Sequence, residues 1–590
     1  MIYNMYEMLK KYKLILLLVF ITSAINSNSA FIYSQVIYVP LESGVYDFLE
    51  RQNLKGLIDL NDEVKPFSRM YVAQKLNEIG NEFKNNIKPG ISEGTKLNNV
   101  EIDEFYFYSE EYFYELSATK KTNRQPDNLT DEHISNAYSG QSQDLEKRDV
   151  NERWFLFNYS DSLFNLKLSP VAGYGISVSG KESGHTRWIG LSTFATYSNW
   201  FGADFNIRDK GEFGGNVDKE KSFTSVRGAW YKNASNGIEY SDVKGSITFN
   251  WSWGSVSLIK DYIQWGHGKF GQLILSDKAP SYPQIRLNLN PVPWLRFSYM
   301  HGWLNSLVPD SAAFYYSYPG TISQQLRESY INKYIAANLI TVTPWNRIDI
   351  SAGNAIVYSG DIRPEFFVPF MFYKFLDHNS GRGNVNDGNG MFYFDVSVKY
   401  PEDFKFYSTV FVDVTEIRNI LDGNYNNTWI GFTFGGKAID LYLPNLDMTL
   451  EYTRINPWVY EHKDEVTTYK HINYSLGHWL GQNADQIRLQ LNYQLLRGLK
   501  FMVFAERIRK GGFDEIYFAY NDIKENGRSF LYGQLRKEYR AGLEINYEYQ
   551  HDLNLKIKYI YSDVKDEDIS RLNSFDTLKN SFSLSLYYNL

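Results

Sequence analysis

The 590-residue chain contains no cysteine. That absence excludes disulfide scaffolds, Cys-ligated zinc and iron–sulfur centres, thiol catalysis and a lipid-modified N-terminal cysteine. Histidine is scarce, with nine residues, and 61 Lys and Arg are outweighed by 68 Asp and Glu, for a formal net charge of -7. No basic surplus exists to track a phosphate backbone, so nucleic acid is not an expected partner. Beyond residue 30 no apolar run reaches the roughly 18–20 residues that a membrane-spanning helix needs, and mean hydropathy is -0.41. Helical membrane spans are thereby excluded, whereas a transmembrane β-barrel, whose strands alternate, is not.

Aromatic side chains are abundant: 47 Tyr, 39 Phe and 13 Trp make up 17% of the chain, which excludes a disordered or fibrous polymer. At the N-terminus Lys10, Lys11 and Lys13 precede a short apolar stretch, residues 14–25, and then the small and polar Ser27, Asn28, Ser29 and Ala30. Residues 1–30 are therefore expected to be a secretory signal peptide, directing export by the general secretory route. Residues 31–118 hold the sustained helical periodicity. Val45, Phe48 and Leu49 share a face, Ser68 is placed to cap a helix bearing Val72, Leu76 and Ile79, and residues 100–116 form a third candidate. Residues 119–160 read as a polar linker and a plug-associated segment, since 119–150 carry almost no large apolar side chains.

From residue 161 to 590 the period is two. Leu543, Ile545, Tyr547 and Tyr549 alternate with Glu544, Asn546, Glu548 and Gln550. After His551 and Asp552 the pattern resumes with Leu553, Leu555, Ile557, Tyr559 and Tyr561, which predicts a tight hairpin. Short links, as at 198–199, 252–253, 401–403 and 551–552, alternate with long ones, as at 264–283, 358–389 and 455–485. Outer-membrane barrels have this asymmetry of short periplasmic turns and long external loops, whereas paired soluble sandwiches share only the period. Nineteen candidate strands are present. Bacterial barrels have even numbers, so residues 154–159 are assigned to the plug region and about 18 strands are expected. The final strand, with Phe582, Leu584, Leu586, Tyr588 and Leu590 on one face, resembles the signal read by the barrel-assembly machinery. The fold class is thus an all-β transmembrane barrel with a small N-terminal helical plug region, in contact with outer-membrane lipid.

Catalytic chemistry has no positive signal. His462, His471 and His478 share one long loop with Asp464, Glu465 and Asp485, but their spacing matches no metal motif. No nucleophile elbow, phosphate loop or zinc-protease motif occurs, so neither an enzyme nor a cofactor or metal is expected. Residues 380–390, SGRGNVNDGNG, lack the acidic set of a calcium loop. Two stretches are better candidates for ligand contact. Residues 363–375, RPEFFVPFMFYKF, would be sticky if exposed, and are expected to fold into the barrel mouth, against another protein or against ligand. There Phe366, Phe367 and Tyr373 offer rings for sugar faces, and Arg363 and Glu365 give orientation. In residues 261–285, Gln264, Trp265 and His267 combine an aromatic plate with hydrogen-bonding groups among Gly266, Gly268 and Gly271. For both stretches the competing reading is structural packing inside the lumen.

Three segments, VPLESGVYDFLERQNLKGLIDL (39–60), KPFSRMYVAQKLNEI (65–79) and QWGHGKFGQLILSDKAPSYPQI (264–285), resemble the capsule-assembly Wzi family, and the likeness extends over nearly the whole mature chain. The resemblance implies an 18-stranded outer-membrane barrel with a helical plug and a lectin-like role in attaching capsular polysaccharide to the cell surface. The polar insertion 119–150 and the terminal Leu590 depart from the family pattern, and no individual sugar-contacting residue is carried over. The expected function is that of a noncatalytic, polysaccharide-binding outer-membrane protein. Its rivals are a passive porin-like channel for sugars, lined by Arg488, Glu544, Lys556 and Lys558, and an outer-membrane hydrolase.

Overall fold

A computed structural model describes residues 37–86, 96–122, 153–161, 163–379, 388–414, 428–512, 527–566 and 575–589. The expected signal peptide, residues 123–152 of the polar linker, residues 380–387 and Leu590 lie outside the described residues.

Eighteen antiparallel strands close into a barrel in chain order. They are β1 (Phe164–Ser179), β2 (Glu182–Tyr197), β3 (Phe201–Gly214), β4 (Gly237–Trp251), β5 (Gly254–Asp261), β6 (Tyr282–Val292), β7 (Leu295–Pro309), β8 (Tyr330–Trp345) and β9 (Ile348–Ser359). The second half comprises β10 (Asn389–Val398), β11 (Phe404–Val414), β12 (Trp429–Ala438), β13 (Leu446–Ile455), β14 (Ala484–Leu496), β15 (Leu499–Lys510), β16 (Arg536–Gln550), β17 (Leu553–Asp566) and β18 (Phe575–Tyr588). Closure is by β18 on β1, with Tyr588 opposite Ala172. The candidate at 154–159 does meet the wall: Phe157–Ser160 pairs with β1 at residues 165–168, just beyond where β18 stops, so it covers an otherwise bare sheet edge. It is not packed among the helices.

Alternation sorts the side chains. On β8, Ile335, Ala337 and Leu339 point into the lumen, while Tyr334, Ala336, Asn338 and Ile340 point outward. Trp200, Trp294, Trp345 and Tyr400 stand exposed at the short turns, as an aromatic girdle does at a membrane interface. No described helix is long and apolar enough to cross a membrane.

The helical region precedes the wall, as α1 (Val45–Leu54), α2 (Arg69–Asn86), α3 (Asn99–Glu111) and α4 (Phe113–Thr122). Ser68 caps α2 by accepting the Tyr71 N–H at 3.1 Å. Asn98 and Glu101 form a reciprocal capping box on α3. Val45, Leu49, Val72, Leu76 and Ile79 build one core from these short helices. Its polar rim is fastened to the wall. Arg51 reaches Asp440 at 2.7 Å and pairs with Asp447, Glu104 accepts from Gln494 at 2.6 Å, and Phe107 stacks on His551 at 3.7 Å. Asp440, Gln494 and His551 lie at or beside short turns, which places the helices at the periplasmic end.

Candidate functional site

Two external connections turn into the lumen. Residues 262–281 contribute Trp265, Leu273, Ile274 and Leu275, and residues 456–483 contribute Trp458, Tyr460, Tyr469 and Leu476, to one apolar cluster with the inner wall. Hydrogen bonds knit the two: Tyr469 OH donates to the Ile274 carbonyl at 2.6 Å, Tyr460 OH to that of Leu273 at 2.8 Å, and Trp479 Nε1 to that of Phe270 at 2.8 Å. The glycines make this approach possible, since a Cβ on Gly271 would lie 2.4 Å from His478 Nε2. The tip of the first loop is held by the wall residue Glu451, whose carboxylate accepts the Lys269 N–H at 2.6 Å and the Phe270 N–H at 3.1 Å.

The same loop meets the chain coming from the periplasmic end. Gln264–Trp265 pairs antiparallel with Val64–Lys65, and the Gly266 N–H bonds the Glu63 carbonyl at 2.8 Å. His267 then lies between two carboxylates, with Nε2 3.1 Å from Asp62 and Nδ1 against Asp395 of β10. Burial alone would lower the His267 pKa, but Asp395 and Asp62 raise it to about 9. Burial would raise that of Asp62, yet Lys405 and His267 hold it well below the usual carboxylate range. The group is therefore a protonated histidine and an ionised aspartate at neutral pH. Lys405 of β11 also bonds Glu50 of α1 at 3.1 Å, and Arg296 of β7 joins Glu63 at 2.5 Å to Asp349 at 2.8 Å. Buried charges in a lumen are tolerable when paired in this manner.

The inward loop divides the lumen. On its periplasmic side a cavity of about 390 Å³ extends from Gln264 and His267 to Gly498 and Asp552 at the short turns. On its external side a second cavity, of about 230 Å³, is lined by Phe270, Gln272, Trp479, Gln486, Arg488 and Arg540, among others. Gln264, Lys269 and Gln272 border both. Arg488 covers the Phe270 ring at 4.5 Å and also bonds Gln490 at 2.7 Å, so an aromatic face and fixed donors sit together.

The sequence candidates are separated by the barrel wall. Gln264, Trp265 and His267 are on the lumenal side. Trp265 is 1% exposed and packs edge-on against Tyr393, and both ring nitrogens of His267 are engaged; Gln264 alone of the three borders both cavities, with its Nε2 donating to Asp277 at 3.0 Å. The expectation that residues 363–375 fold into the mouth does not match the structure, because they cover the outer face of β7, β8 and β9. Phe366 and Tyr373 are fully buried there, Phe367 stacks on His301 at 4.2 Å, and Arg363 bonds Glu365 at 2.9 Å. The three loop histidines do not converge. His462 bonds Thr467 at 2.7 Å, His471 Nδ1 accepts the Asn305 N–H at 3.0 Å, and His478 Nδ1 accepts that of Leu480 at 3.2 Å. Burial lowers the pKa of His478 to about 3, which keeps it neutral. Among the described residues no three His, Asp or Glu side chains are placed to hold a metal ion.

Asp62, Asp395, Lys405 and Glu451 escaped sequence reasoning. Their signal was present only as charges at inward positions of strands and in a loop between helices.

A search of curated protein sequences returned no match. Among solved structures, the chain is similar to Wzi, an outer-membrane protein involved in group 1 capsule assembly in Escherichia coli and a carbohydrate-binding β-barrel. The identity is 12% and the TM-score 0.50, covering 94% of this chain and 99% of that one. Pseudomonas aeruginosa OccD3 (OpdP) matches at 10% identity and TM-score 0.40, over 72% of this chain and 90% of that one. Acinetobacter baumannii OccAB2 matches at 10% and 0.37, over 71% and 97%. Likeness at such identities concerns the fold alone. Residues 190–575 match the family of capsule assembly protein Wzi, and the chain belongs to that family.

Proposed function

We propose that this protein binds surface or exported polysaccharide on the external side of its barrel and holds capsular polymer at the outer membrane, without catalysing a reaction. The observation that carries this reading is the external cavity, where Phe270 and Trp479 stand beside Gln272, Gln486, Arg488 and Arg540, with the inward loop as its floor. Trp479 is 6% exposed and Arg488 lies over Phe270, so the cavity offers ring edges among fixed hydrogen-bonding groups, which suits a sugar's hydroxyls and C–H groups. At about 230 Å³ the cavity suits a sugar unit or two rather than a buried chain. A repeating polymer engaging many copies on one cell would then be retained by avidity. Family membership and the carbohydrate binding of the Escherichia coli relative support the same ligand class. A passive sugar channel is disfavoured, because the inward loop and the helical region lie in series across the lumen.

The test is deletion of the gene in its own organism, with cell-bound and shed polysaccharide measured against complementation and total synthesis. Cell-bound material should fall while total synthesis holds. If neither fraction changes, the attachment role is wrong.

A further inference from the structure

The first part of the connection from β9 to β10, through residue 376, lies on the outer face of the wall and not in the lumen. Its residues Phe366 and Tyr373 form one buried cluster with Tyr299, Tyr334, Ala336, Ile356 and Tyr358, which are the outward-facing residues of β7, β8 and β9. Phe370 stacks on Phe297 at 4.2 Å. Phe297 is opposite Ile340, and five residues further along β8 stands Trp345 of the periplasmic girdle. At about 3.3 Å per residue on a tilted strand, the loop descends to within about 10–15 Å of that girdle. An apolar band is about 25 Å tall, so Phe370 lies inside it.

A segment at that depth must leave no backbone polar group unsatisfied. Pro364–Phe367 and Tyr373–Asn379 are helical and bond largely to themselves. The irregular link between them is served by two asparagines on the outward face. Asn338 Nδ2 donates to the carbonyls of Pro369 at 2.8 Å and Met371 at 3.0 Å, Asn354 Nδ2 donates to that of Met371 at 3.1 Å, and Asn354 Oδ1 accepts the Tyr373 N–H at 2.9 Å. Tyr299 OH donates to the Phe366 carbonyl at 2.9 Å. Asparagine on a bare lipid-facing strand would be costly; beneath this loop both side chains are bonded. The loop's far side is apolar, with Val368, Phe370, Met371, Phe372 and Phe375 between 39% and 66% exposed. The charged pair Arg363 and Glu365 stays near the external end, just after β9.

We infer that residues 362–376 form an apron embedded in the membrane, whose exposed apolar side chains contact the acyl chains of outer-leaflet lipid. The surface continues the lipid-facing band of the wall: Phe394, 53% exposed, lies in the same row as Phe297, Ile340 and Ala352.

The chain's lack of cysteine allows single-site spin labelling of the full-length protein in phospholipid vesicles. Labels at Phe370→Cys, Phe372→Cys and Met371→Cys are compared with Phe394→Cys on the wall and Tyr316→Cys in an exposed external loop, each variant being checked for heat-modifiable migration. The oxygen-to-nickel-chelate accessibility ratio should match that of Phe394→Cys and exceed that of Tyr316→Cys severalfold. A ratio like that of Tyr316→Cys overturns the proposal, as does label–label broadening, which would put a second copy on this face. Three apron positions keep the test decisive if one variant fails to fold.

Discussion

His267 Nε2 lies 3.1 Å from Asp62 Oδ1, although 205 residues separate them in the chain. One belongs to a loop entering the barrel from outside, the other to a segment entering from the periplasmic end. Their contact makes the helical region and the external loop a single buried assembly, anchored to the wall through Asp395 and Lys405.

This assembly has a pH window. A histidine raised from 6.5 to about 9 contributes stability that is fully present below about pH 6.5 and is lost as pH rises through 9. Asp62, held low, contributes stability present above about pH 4 and lost on acidification. His267→Gln should therefore lower the thermal midpoint of heat-modifiable migration most at pH 5–6.5, with the gap to wild type closing above pH 9. An equal gap across the range would show that His267 acts through packing alone.

Lys405 is the cation shared by Glu50 and Asp62. Lys405→Met leaves both carboxylates short of a partner and should destabilise by about 3–5 kcal/mol, read from urea unfolding in vesicles. Adding Asp62→Asn should recover part of that loss. Strict additivity of the two substitutions would contradict a shared network.

Conductance separates a sealed barrel from a channel. The intact protein in planar bilayers should be almost silent. Deleting residues 38–118 should leave it nearly so, because the two inward loops still pack together. Replacing residues 266–276 by a short flexible linker in the same deletion should open a steady pore. A large current from the intact protein would count against the series arrangement.

Asn338 and Asn354 tie down the apron. Replacing both by leucine leaves the Met371 carbonyl and the Tyr373 N–H without their side-chain partners and the Pro369 carbonyl with the Tyr373 hydroxyl alone, at about 1–3 kcal/mol for each buried group left unpaired. Protease added to whole cells should then cut within residues 363–375, where wild type is resistant. Equal resistance would mean the asparagines do not hold the loop.

Much of the fold was legible because alternation and turn spacing are local. The hairpin around His551 and Asp552 and the capping role of Ser68 follow from neighbours in sequence, and the strand number from turn spacing together with the even count of bacterial barrels. The route of the long loops was not legible. Apolarity showed that residues 363–375 must be covered, but inner and outer faces of a barrel both offer cover, and only Asn338 and Asn354 at outward positions hinted at the outer one. Gln264 and His267 stand out in the sequence through their glycine-rich context, and the structure puts them where the inward loop meets residues 62–65. Asp62, Asp395 and Lys405 do not stand out, since their meaning lies in contacts made across hundreds of residues.

The decisive measurement is titration of the organism's purified surface polysaccharide into proteoliposomes bearing wild type, Phe270→Ala, Arg488→Ala or the outer-wall control Phe370→Ala. Wild type and Phe370→Ala should bind alike, and each cavity variant should lose about tenfold or more, or about 1.4 kcal/mol. Unchanged binding in both cavity variants, or none in wild type, would contradict polysaccharide capture at the external cavity.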